Sequence, residues 1–469
     1  MKIEQIYTGC LAQGAYYIES KGEVAIIDPL REVKPYINRA KLDDAKIKYI
    51  FETHFHADFV SGHVTLSKKT GAPIIFGPNA ETNFDAIIAK DGQEFKLGDV
   101  TIKVLHTPGH TMESSVFLLR DEKGKDHAIF SGDTLFLGDV GRPDLAQKMG
   151  EITERDLAGF LFDSLRNKIM PLADDVIVYP AHGAGSSCGK NLSKETVDTL
   201  GNQKKTNYAL RANMTKEEFI DEVTEGLLPP PQYFPLNVKM NKEGYDDFDT
   251  VLKRSAQALS PDAFEAAANE TEAIVLDVRH QDDFAKGHIP RSIFIGLDGS
   301  FAPWVGALIA DVKQPILLVC PEGREEEAIT RLSRVGFDYV IGYLKGGFDA
   351  WKKASKEYDT VSSMSANALK DILKKEDVPV FDVRKNGEFL SEHVINANNT
   401  PLDYINDHLA EFPDEETFYI HCAGGYRSMI ATSILKSRGI HNLIDIKGGF
   451  DAIKEAGIKV SDYVCPSTL

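Results

Sequence analysis

The chain has 469 residues, of which 42% are hydrophobic and 26% are charged, as in ordinary globular proteins. Its length predicts about three domains. The formal net charge of −18 argues against nucleic acid as a partner, because it would repel a phosphate backbone. The N-terminus lacks a signal-peptide pattern and no apolar run approaches the roughly 18 residues of a membrane span, so we expect a cytoplasmic protein that does not bind membranes. Five cysteines, an odd and sparse set, predict free thiols rather than a disulfide framework.

Residues 1–200 alternate β-rich runs with polar turns, and several of these runs end on a histidine or an aspartate. This pattern predicts an α/β domain whose chemistry lies at the ends of its strands. Residues 201–255 become helical and then irregular, with three consecutive prolines at 229–231. We predict that this segment is a closing helix followed by a linker.

The remaining residues contain an internal duplication. The sequence VLDVR at 275–279 returns as VFDVR at 380–384, and KGGFDA at 345–350 returns at 447–452. In each copy a predicted strand ends in a cysteine, Cys320 or Cys422, that lies 26 residues before the first glycine of KGGFDA. We therefore predict two related α/β domains, at 256–358 and 359–469, each with a parallel sheet and helices on both faces.

Six imidazole and carboxylate side chains stand at strand ends within the first 200 residues. They are His54, His56, Asp58, His110, Asp133 and His182. Any one of them alone would be read as an ordinary hydrogen-bonded side chain. Together they form a set of the groups that usually bind metal ions in proteins, so they predict a metal site.

The motifs THFHAD, TPGHT, SGDT and PAHG resemble those of the metallo-β-lactamase superfamily over the first 200 residues. This resemblance implies an αββα sandwich. Dinuclear hydrolases of that family have a further histidine where this chain has Phe59, and phenylalanine cannot bind a metal. We therefore expect one Fe(II) per chain, held by His54, His110 and Asp133, because two imidazoles and one carboxylate are characteristic of non-haem Fe(II) oxygenases.

The segment GDVGRPDL at 138–145 makes the same region similar to the persulfide dioxygenase branch of the superfamily. The resemblance implies that His56, Asp58 and His182 form a shell around the iron ligands. It also implies that Arg142 faces a thiol-bearing substrate, and a plain ion pair between Arg142 and Asp144 is the alternative.

Cys188 follows His182 in the sequence HGAGSSC, where glutathione-type members carry a tyrosine shortly after the histidine. This departure leaves the identity of the carrier thiol open. Cys188 is either a relay that receives sulfane sulfur near the iron or a buried, inert thiol.

The sequence CAGGYRS at 422–428 lies between a predicted strand and a predicted helix. A glycine-rich loop in this position points backbone N–H groups at one spot and stabilises an anion there, and Arg427 adds a positive charge. Four residues separate Cys422 from Arg427, one fewer than in the C-x5-R loop of phosphatases, which favours sulfur over phosphate. With DVR and KGGFDA, the loop resembles the rhodanese family. The resemblance implies that Cys422 carries a persulfide and that Arg427 orients thiosulfate or sulfite.

The first copy places Glu325 and Glu326 where the second has Arg427 and Ser428. Carboxylates at these positions would repel a persulfide anion. We therefore predict that residues 260–355 form a degenerate rhodanese-like domain with a mainly structural role.

These features together predict an enzyme that oxidises a low-molecular-weight persulfide with O2 to sulfite and free thiol, and that transfers sulfur at Cys422 to give thiosulfate. Two alternatives stay open. One is a zinc-dependent thioester hydrolase resembling glyoxalase II, and the other is a non-enzymatic persulfide sensor. The resemblance also implies a homodimer or homotetramer.

Overall fold

The structure, a computed structural model, describes residues 1–147, 151–190, 192–227 and 229–465. Its chain divides into two units, one of Met1–Asp249 with Ser333–Gly336 and one of Thr250–Leu332 with the residues from Phe337 onward. The domain boundaries at 200, 255 and 358 stay predictions, and the predicted end at 469 lies outside the described residues. No helix within the described ranges is long and apolar enough to cross a membrane.

Two six-stranded sheets form the centre of the first unit, and in both the order of strands follows the order of the chain. The first sheet consists of β1 (Lys2–Thr8), β2 (Gln13–Ser20), β3 (Glu23–Ile27), β4 (Lys46–Phe51), β5 (Ile74–Phe76) and β6 (Ile87–Ile88). The second consists of β7 (Glu94–Leu97), β8 (Val100–His106), β9 (Ser115–Arg120), β10 (Asp126–Gly132), β11 (Ile177–Pro180) and β12 (Asp198–Thr199). Strand β2 is buried along nearly all of its length, because both faces of its sheet are covered.

Helices cover the outer face of each sheet. They are α1 (Lys34–Leu42), α2 (His63–Thr70), α3 (Glu154–Ser164), α4 (Leu200–Thr206), α5 (Lys216–Thr224) and α6 (Phe234–Glu243). The next helix, α7 (Phe248–Ser255), contains the boundary between the two units. One apolar cluster joins the facing sides of the two sheets. A second joins α1 and α2 to the first sheet, and a third joins α3 and α5 to the second sheet. The predicted αββα sandwich is therefore confirmed.

Three strand ends converge on one edge of the sandwich. Strand β4 leads into residues 52–58, β10 leads into Asp133, and β11 leads into His182. The close approach of β4 and β10 requires Gly132, which has φ +52, because a Cβ there would lie 2.7 Å from the side chain of Thr53. The two sheets thus bring segments from distant parts of the chain into one place.

The second unit contains two five-stranded sheets in which all neighbouring strands are parallel, as the sequence predicts. The first sheet has the order β13-β17-β16-β14-β15, with β13 (Ala258–Leu259), β14 (Ile274–Asp277), β15 (Ile293–Phe294), β16 (Ile316–Val319) and β17 (Val340–Leu344). The second has the order β18-β22-β21-β19-β20, with β18 (Ser363–Ser365), β19 (Val380–Asp382), β20 (Asn398–Asn399), β21 (Phe418–His421) and β22 (Leu443–Lys447). The two orders are equivalent, which confirms the duplication.

Helices connect these strands in both copies. The first copy has α8 (Pro261–Glu270), α9 (Gln281–Lys286), α10 (Phe301–Leu308), α11 (Glu325–Arg334) and α12 (Gly347–Lys353). The second has α13 (Ala366–Leu373), α14 (Asn386–Ser391), α15 (Tyr426–Ser437) and α16 (Gly449–Glu455).

The two repeated motifs recur together because they contact each other. The guanidinium of Arg384, in DVR, forms a bidentate ion pair with Asp382 and lies 3.8 Å from the ring centroid of Phe450, in KGGFDA. In the first copy the guanidinium of Arg279 lies 4.3 Å from the ring centroid of Phe348. The cation stacked on the aromatic ring ties the end of one strand to the helix that follows the last strand.

The last sheet contains a buried carboxyl whose charge opposes folding. Burial raises the pKa of Asp445, on β22, from its ordinary 3.8 to about 6, although the Ser428 hydroxyl donates a hydrogen bond of 2.7 Å to it. Between these two pH values the unfolded carboxyl loses its proton and the folded one keeps it. Stability is therefore lost as pH rises through this window, by up to about 3 kcal/mol for a shift of about two units.

Asp445→Asn should remove this loss, because the amide stays neutral and still accepts from Ser428. We expect the thermal midpoint of the variant to exceed that of the parent at pH 7.5 and to approach it at pH 4.5. The exposed Asp451→Asn on α16 is the control and should change little at either pH. Equal differences at the two pH values would contradict the assignment.

Candidate metal centre and sulfur-transfer loop

The structure brings His54, His110 and Asp133 together in the interior of the first unit. One ligand atom of each lies within 4.8 Å of the others, and all three side chains are buried. The Asp133 Oδ2 atom lies 3.3 Å from His110 Nε2 and 3.8 Å from His54 Nε2. Neither carboxylate oxygen of Asp133 has a hydrogen-bond partner among the described residues.

Hydrogen bonds on the far side of each imidazole fix its orientation. The Thr53 hydroxyl donates to Asp28 at 2.9 Å, so it accepts from His54 Nδ1 at 3.0 Å. His110 Nδ1 donates to the carbonyl of Arg142 at 2.8 Å, since a carbonyl can only accept. Both Nε2 atoms therefore present a lone pair toward Asp133. Lone pairs facing an unpartnered buried carboxylate fit a metal cation.

Burial keeps the first of these imidazoles neutral. It lowers the pKa of His54 well below the ordinary value, and the neighbouring His56, His110 and His182 lower the pKa further. A neutral imidazole is the form that binds a metal.

A second group of ligand atoms adjoins the first. His56, Asp58 and His182 also place one ligand atom each within 4.8 Å of the others. His182 Nε2 lies 3.5 Å from Asp58 Oδ2 and 3.6 Å from Asp133 Oδ1. Asp133, a member of the first group, therefore also adjoins the second. The number of ions, and the assignment of His56, Asp58 and His182 to an outer shell, stay predictions.

Phe59 is fully buried and contacts His56, a member of this second group. The centroid of its ring is 4.3 Å from that of His56, with 32° between the ring planes. Hydrocarbon therefore covers one side of His56, and Phe59 offers no ligand atom.

The sequence reasoning missed two carboxylates that hold His56. The Nε2 atom of His56 lies 3.1 Å from Asp28 Oδ1 and 3.5 Å from Glu52 Oε2. Burial alone would lower the pKa of His56, but Asp28 and Glu52 raise it well above its ordinary value. Glu52 is adjacent in sequence to the predicted motif and could have been found there, whereas nothing local distinguishes Asp28.

Asn241, on α6, lies in the segment predicted as a closing helix and linker, and the sequence did not indicate its role. Its amide nitrogen donates 2.8 Å hydrogen bonds to the carbonyls of His56 and Phe59, and its amide oxygen accepts from the Ser61 N–H at 2.9 Å. Asn241 therefore satisfies three buried backbone groups of the loop that carries the ligands. It lies 185 residues from His56, so no sequence pattern could connect them.

Arg142 forms the ion pair with Asp144 that the sequence analysis gave as the alternative to substrate contact. Its guanidinium forms two hydrogen bonds with Asp144, of 2.6 and 2.7 Å. Its backbone N–H donates to the carbonyl of Cys188 at 3.0 Å, while its carbonyl orients His110. Contact of Arg142 with a substrate stays a prediction.

Cys188 lies beside the candidate metal ligands. Its position shortly after His182 in the sequence does not by itself show this proximity. Its sulfur is within 4.8 Å of ligand atoms of Asp133 and His182. Burial raises the pKa of Cys188 well above its ordinary value, and Asp58 and Asp133 raise it further. Whether the thiol relays sulfur stays open.

The predicted sulfur-transfer loop joins β21 to α15. Cys422 is buried, and the Gly425 N–H donates to its sulfur at 3.1 Å. Gly425 has φ +104, a conformation that glycine adopts without strain. The guanidinium of Arg427 forms two hydrogen bonds with Glu388, of 2.6 and 2.8 Å. Sequence reasoning missed Glu388, and the roles of Cys422 and Arg427 stay predictions.

In the corresponding loop of the first copy, a carboxylate of the loop itself accepts the backbone hydrogen bond. The Gly323 N–H, three residues after Cys320 as Gly425 is after Cys422, donates to the carboxylate of Glu325 at 3.3 Å. Burial raises the pKa of Cys320 well above its ordinary value, and Glu325 raises it further. Cys320 lines a cavity of about 320 Å³. These contacts favour the predicted structural role of this copy.

Asn241→Ala tests the support of the metal-binding loop. Because it leaves three buried backbone groups without partners, we expect a loss of unfolding free energy on the order of 3 kcal/mol. We also expect metal affinity to fall by about tenfold to a hundredfold, measured by competition with a chelator.

Asn237→Ala is the matched control, because Asn237 is buried on the same helix and its side chain has no hydrogen-bond partner among the described residues. It should leave metal affinity unchanged. Equal losses of affinity in both variants would show that Asn241 acts only through the stability of α6.

Comparisons with known proteins agree with this architecture. Residues 8–182 match the metallo-beta-lactamase superfamily, and residues 260–354 and 365–456 match the rhodanese-like domain. A crystal structure of a metallo-beta-lactamase from Staphylococcus aureus subsp. aureus COL is 31% identical, with a TM-score of 0.66, and the match covers 73% of this chain and 99% of that one.

Two of the curated relatives each match less than half of this chain. The hydroxyacylglutathione hydrolase GloC of Haemophilus influenzae is 29% identical, over 40% of this chain and 94% of its own length. The human mitochondrial persulfide dioxygenase ETHE1 is 28% identical, over 47% of this chain and 78% of its own length. On these matches, the chain belongs to the metallo-β-lactamase superfamily and carries two rhodanese-like domains.

Proposed function

We propose that the chain is a non-haem iron persulfide dioxygenase coupled to a rhodanese-type sulfur transfer. The observation that carries the proposal is the buried set of two imidazoles and one carboxylate, His54, His110 and Asp133, in one chain with the Cys422 loop. The likeness to a persulfide dioxygenase and to rhodanese-like domains supports it.

The first reaction consumes one persulfide, one O2 and one water, and yields one thiol, one sulfite and two protons. Bound Fe(II) would supply dioxygen activation and a binding position for sulfur. His54 and His110 would hold the ion through their Nε2 atoms, and the carboxylate of Asp133 would offset one of its positive charges. Burial of these side chains excludes bulk water from the reacting sulfur.

The second reaction takes place at Cys422. Its thiolate attacks the outer sulfur of a second persulfide, which releases a thiol, and sulfite then attacks the transferred sulfur to give thiosulfate and free Cys422. The Gly425 N–H, which donates to the Cys422 sulfur at 3.1 Å, would stabilise the anion in both states. Joining the two activities in one chain raises the effective concentration of sulfite at the second site.

The second candidate is a zinc thioester hydrolase. The group His56, Asp58 and His182 favours it, because a further ion beside Asp133 would activate water, and a hydroxyacylglutathione hydrolase is among the relatives. Phe59 and the two rhodanese-like domains count against it.

Metal content and oxygen uptake separate the candidates. We expect about one iron per chain after anaerobic loading, and one O2 consumed per sulfite formed from a persulfide. His54→Ala or Asp133→Ala should lower both iron content and oxygen uptake, the latter by at least about a hundredfold.

His127→Ala is the control, because this histidine lies on β10 outside the described ligand sets and should leave both quantities unchanged. Zinc with thioester hydrolysis and no oxygen uptake would select the hydrolase. Absence of metal and of turnover would select a persulfide sensor.

Cys422→Ser tests the coupling. Without the acceptor thiol, persulfide and O2 should yield sulfite in place of thiosulfate, at an unchanged rate of oxygen uptake, as measured by chromatography of the sulfur oxyanions. Cys320→Ser should still give thiosulfate. Thiosulfate production by the Cys422→Ser protein would be incompatible with the proposed transfer.

A further inference from the structure

The loop of the second rhodanese-like copy is anchored on the first copy. Tyr426 lies between Gly425 and Arg427 and begins α15. Its hydroxyl donates a hydrogen bond of 2.7 Å to the carbonyl of Gly296, in the segment that follows β15 of the first copy. Its ring packs edge-on against Phe294, with the centroids 5.9 Å apart.

The surface that receives this ring is shaped for it. A Cβ on Gly299 would lie 2.3 Å from Cζ of Tyr426, so the aromatic ring rests directly on the backbone at that glycine. A second contact follows on α15, where the Phe294 N–H donates to the Ser433 hydroxyl at 2.9 Å. The first copy therefore contacts α15 at its first residue and again two turns later.

This anchor adjoins the group that faces the cysteine. Gly424 and Gly425 have no side chains, and glycine pairs lose much conformational freedom when they become ordered. The direction of the Gly425 N–H therefore depends on the residues that hold the loop at its two ends. Tyr426 is the nearest residue with a side chain that can fix the backbone, and the Gly425 N–H is the one that reaches the Cys422 sulfur.

The loop of the second copy is anchored on the first copy, whereas the matching residue of the first copy makes its ion pairs within its own copy. The residue of the first copy that corresponds to Tyr426 is Arg324, four positions after Cys320. Its guanidinium pairs with Asp298 at 2.8 Å and with Glu327 at 2.7 Å, both within the first copy. The loop at Cys320 is therefore held by contacts within the first copy, whereas the loop at Cys422 is held by a contact with the first copy.

We propose that Tyr426 is a positioning residue. By anchoring Tyr426, the first copy keeps the Gly425 N–H directed at the Cys422 sulfur. This inference rests on the proposed sulfur transfer at Cys422 and gives the degenerate copy a defined part in it. Tyr426 itself touches no sulfur.

Alkylation of Cys422 by iodoacetamide, followed by mass spectrometry in the full-length protein across pH 5–10, tests the inference. In Tyr426→Phe the hydrogen bond to Gly296 is lost and the ring is kept. We expect the pH midpoint of alkylation to rise by about one unit, which lowers reactivity about tenfold below the midpoint. Gly299→Ala, which displaces the ring, should raise it at least as much.

Tyr419→Phe is the matched control. Tyr419 lies on β21 in the core of the second copy, and its hydroxyl makes no hydrogen bond with another described residue. It should leave the alkylation profile unchanged. All three variants should remain folded at the assay temperature and keep the iron content of the parent, so that a shift reports on the loop and not on folding.

An alkylation profile of Tyr426→Phe that superimposes on the parent, or an equal shift in Tyr419→Phe, would overturn the inference. The readout does not depend on catalysis. If Cys422 transferred no sulfur but the alkylation midpoint still shifted, the proposed function would fail and the positioning role of Tyr426 would stand.

Discussion

A carboxylate buried among imidazoles is the interaction on which the first unit depends. Asp133 has no hydrogen-bond donor to either oxygen among the described residues, and nitrogen atoms of His54, His110 and His182 face it. Burying an unpaired ion costs several kcal/mol, and lone pairs directed at it add repulsion. A bound cation would remove both costs and would couple metal binding to the folding of this unit. The surrounding structure holds the ligands in place for that cation.

That surrounding structure consists of hydrogen bonds that reach far along the chain. Thr53 and the carbonyl of Arg142 turn two imidazoles toward the centre, and Asn241 satisfies the backbone of the loop that carries His56. A buried irregular loop needs such partners, because its carbonyl and N–H groups have no strand to pair with. The sandwich supplies them from α6 and from the strand ends.

The second unit shows how one fold gives two different loops. Both copies keep the arginine stacked on the aromatic ring that joins DVR to KGGFDA. They differ at one backbone N–H, which donates to the Cys422 sulfur in one copy and to the Glu325 carboxylate in the other. An internal carboxylate occupies the place where an anion would be stabilised, and it adds to the effect of burial, which raises the pKa of Cys320. The same backbone N–H therefore faces a thiol in one copy and a carboxylate in the other.

The sequence by itself determined the local features. Alternating apolar strands and the duplicated motifs are short-range patterns, and they predicted an α/β first domain and the two parallel sheets. The sandwich and the ligand set His54, His110 and Asp133, which the fold brings together, were implied by the resemblance of short motifs to the metallo-β-lactamase superfamily. Only the tertiary structure decided which distant residues support those groups. Asp28, Asn241 and the contact of Tyr426 with the first copy depend on packing between segments far apart in the chain, and no periodicity or motif records such packing. Phe59 illustrates both kinds of information. The sequence alone shows that this position cannot supply a metal ligand, whereas the contact of its ring with His56 is visible only in the fold.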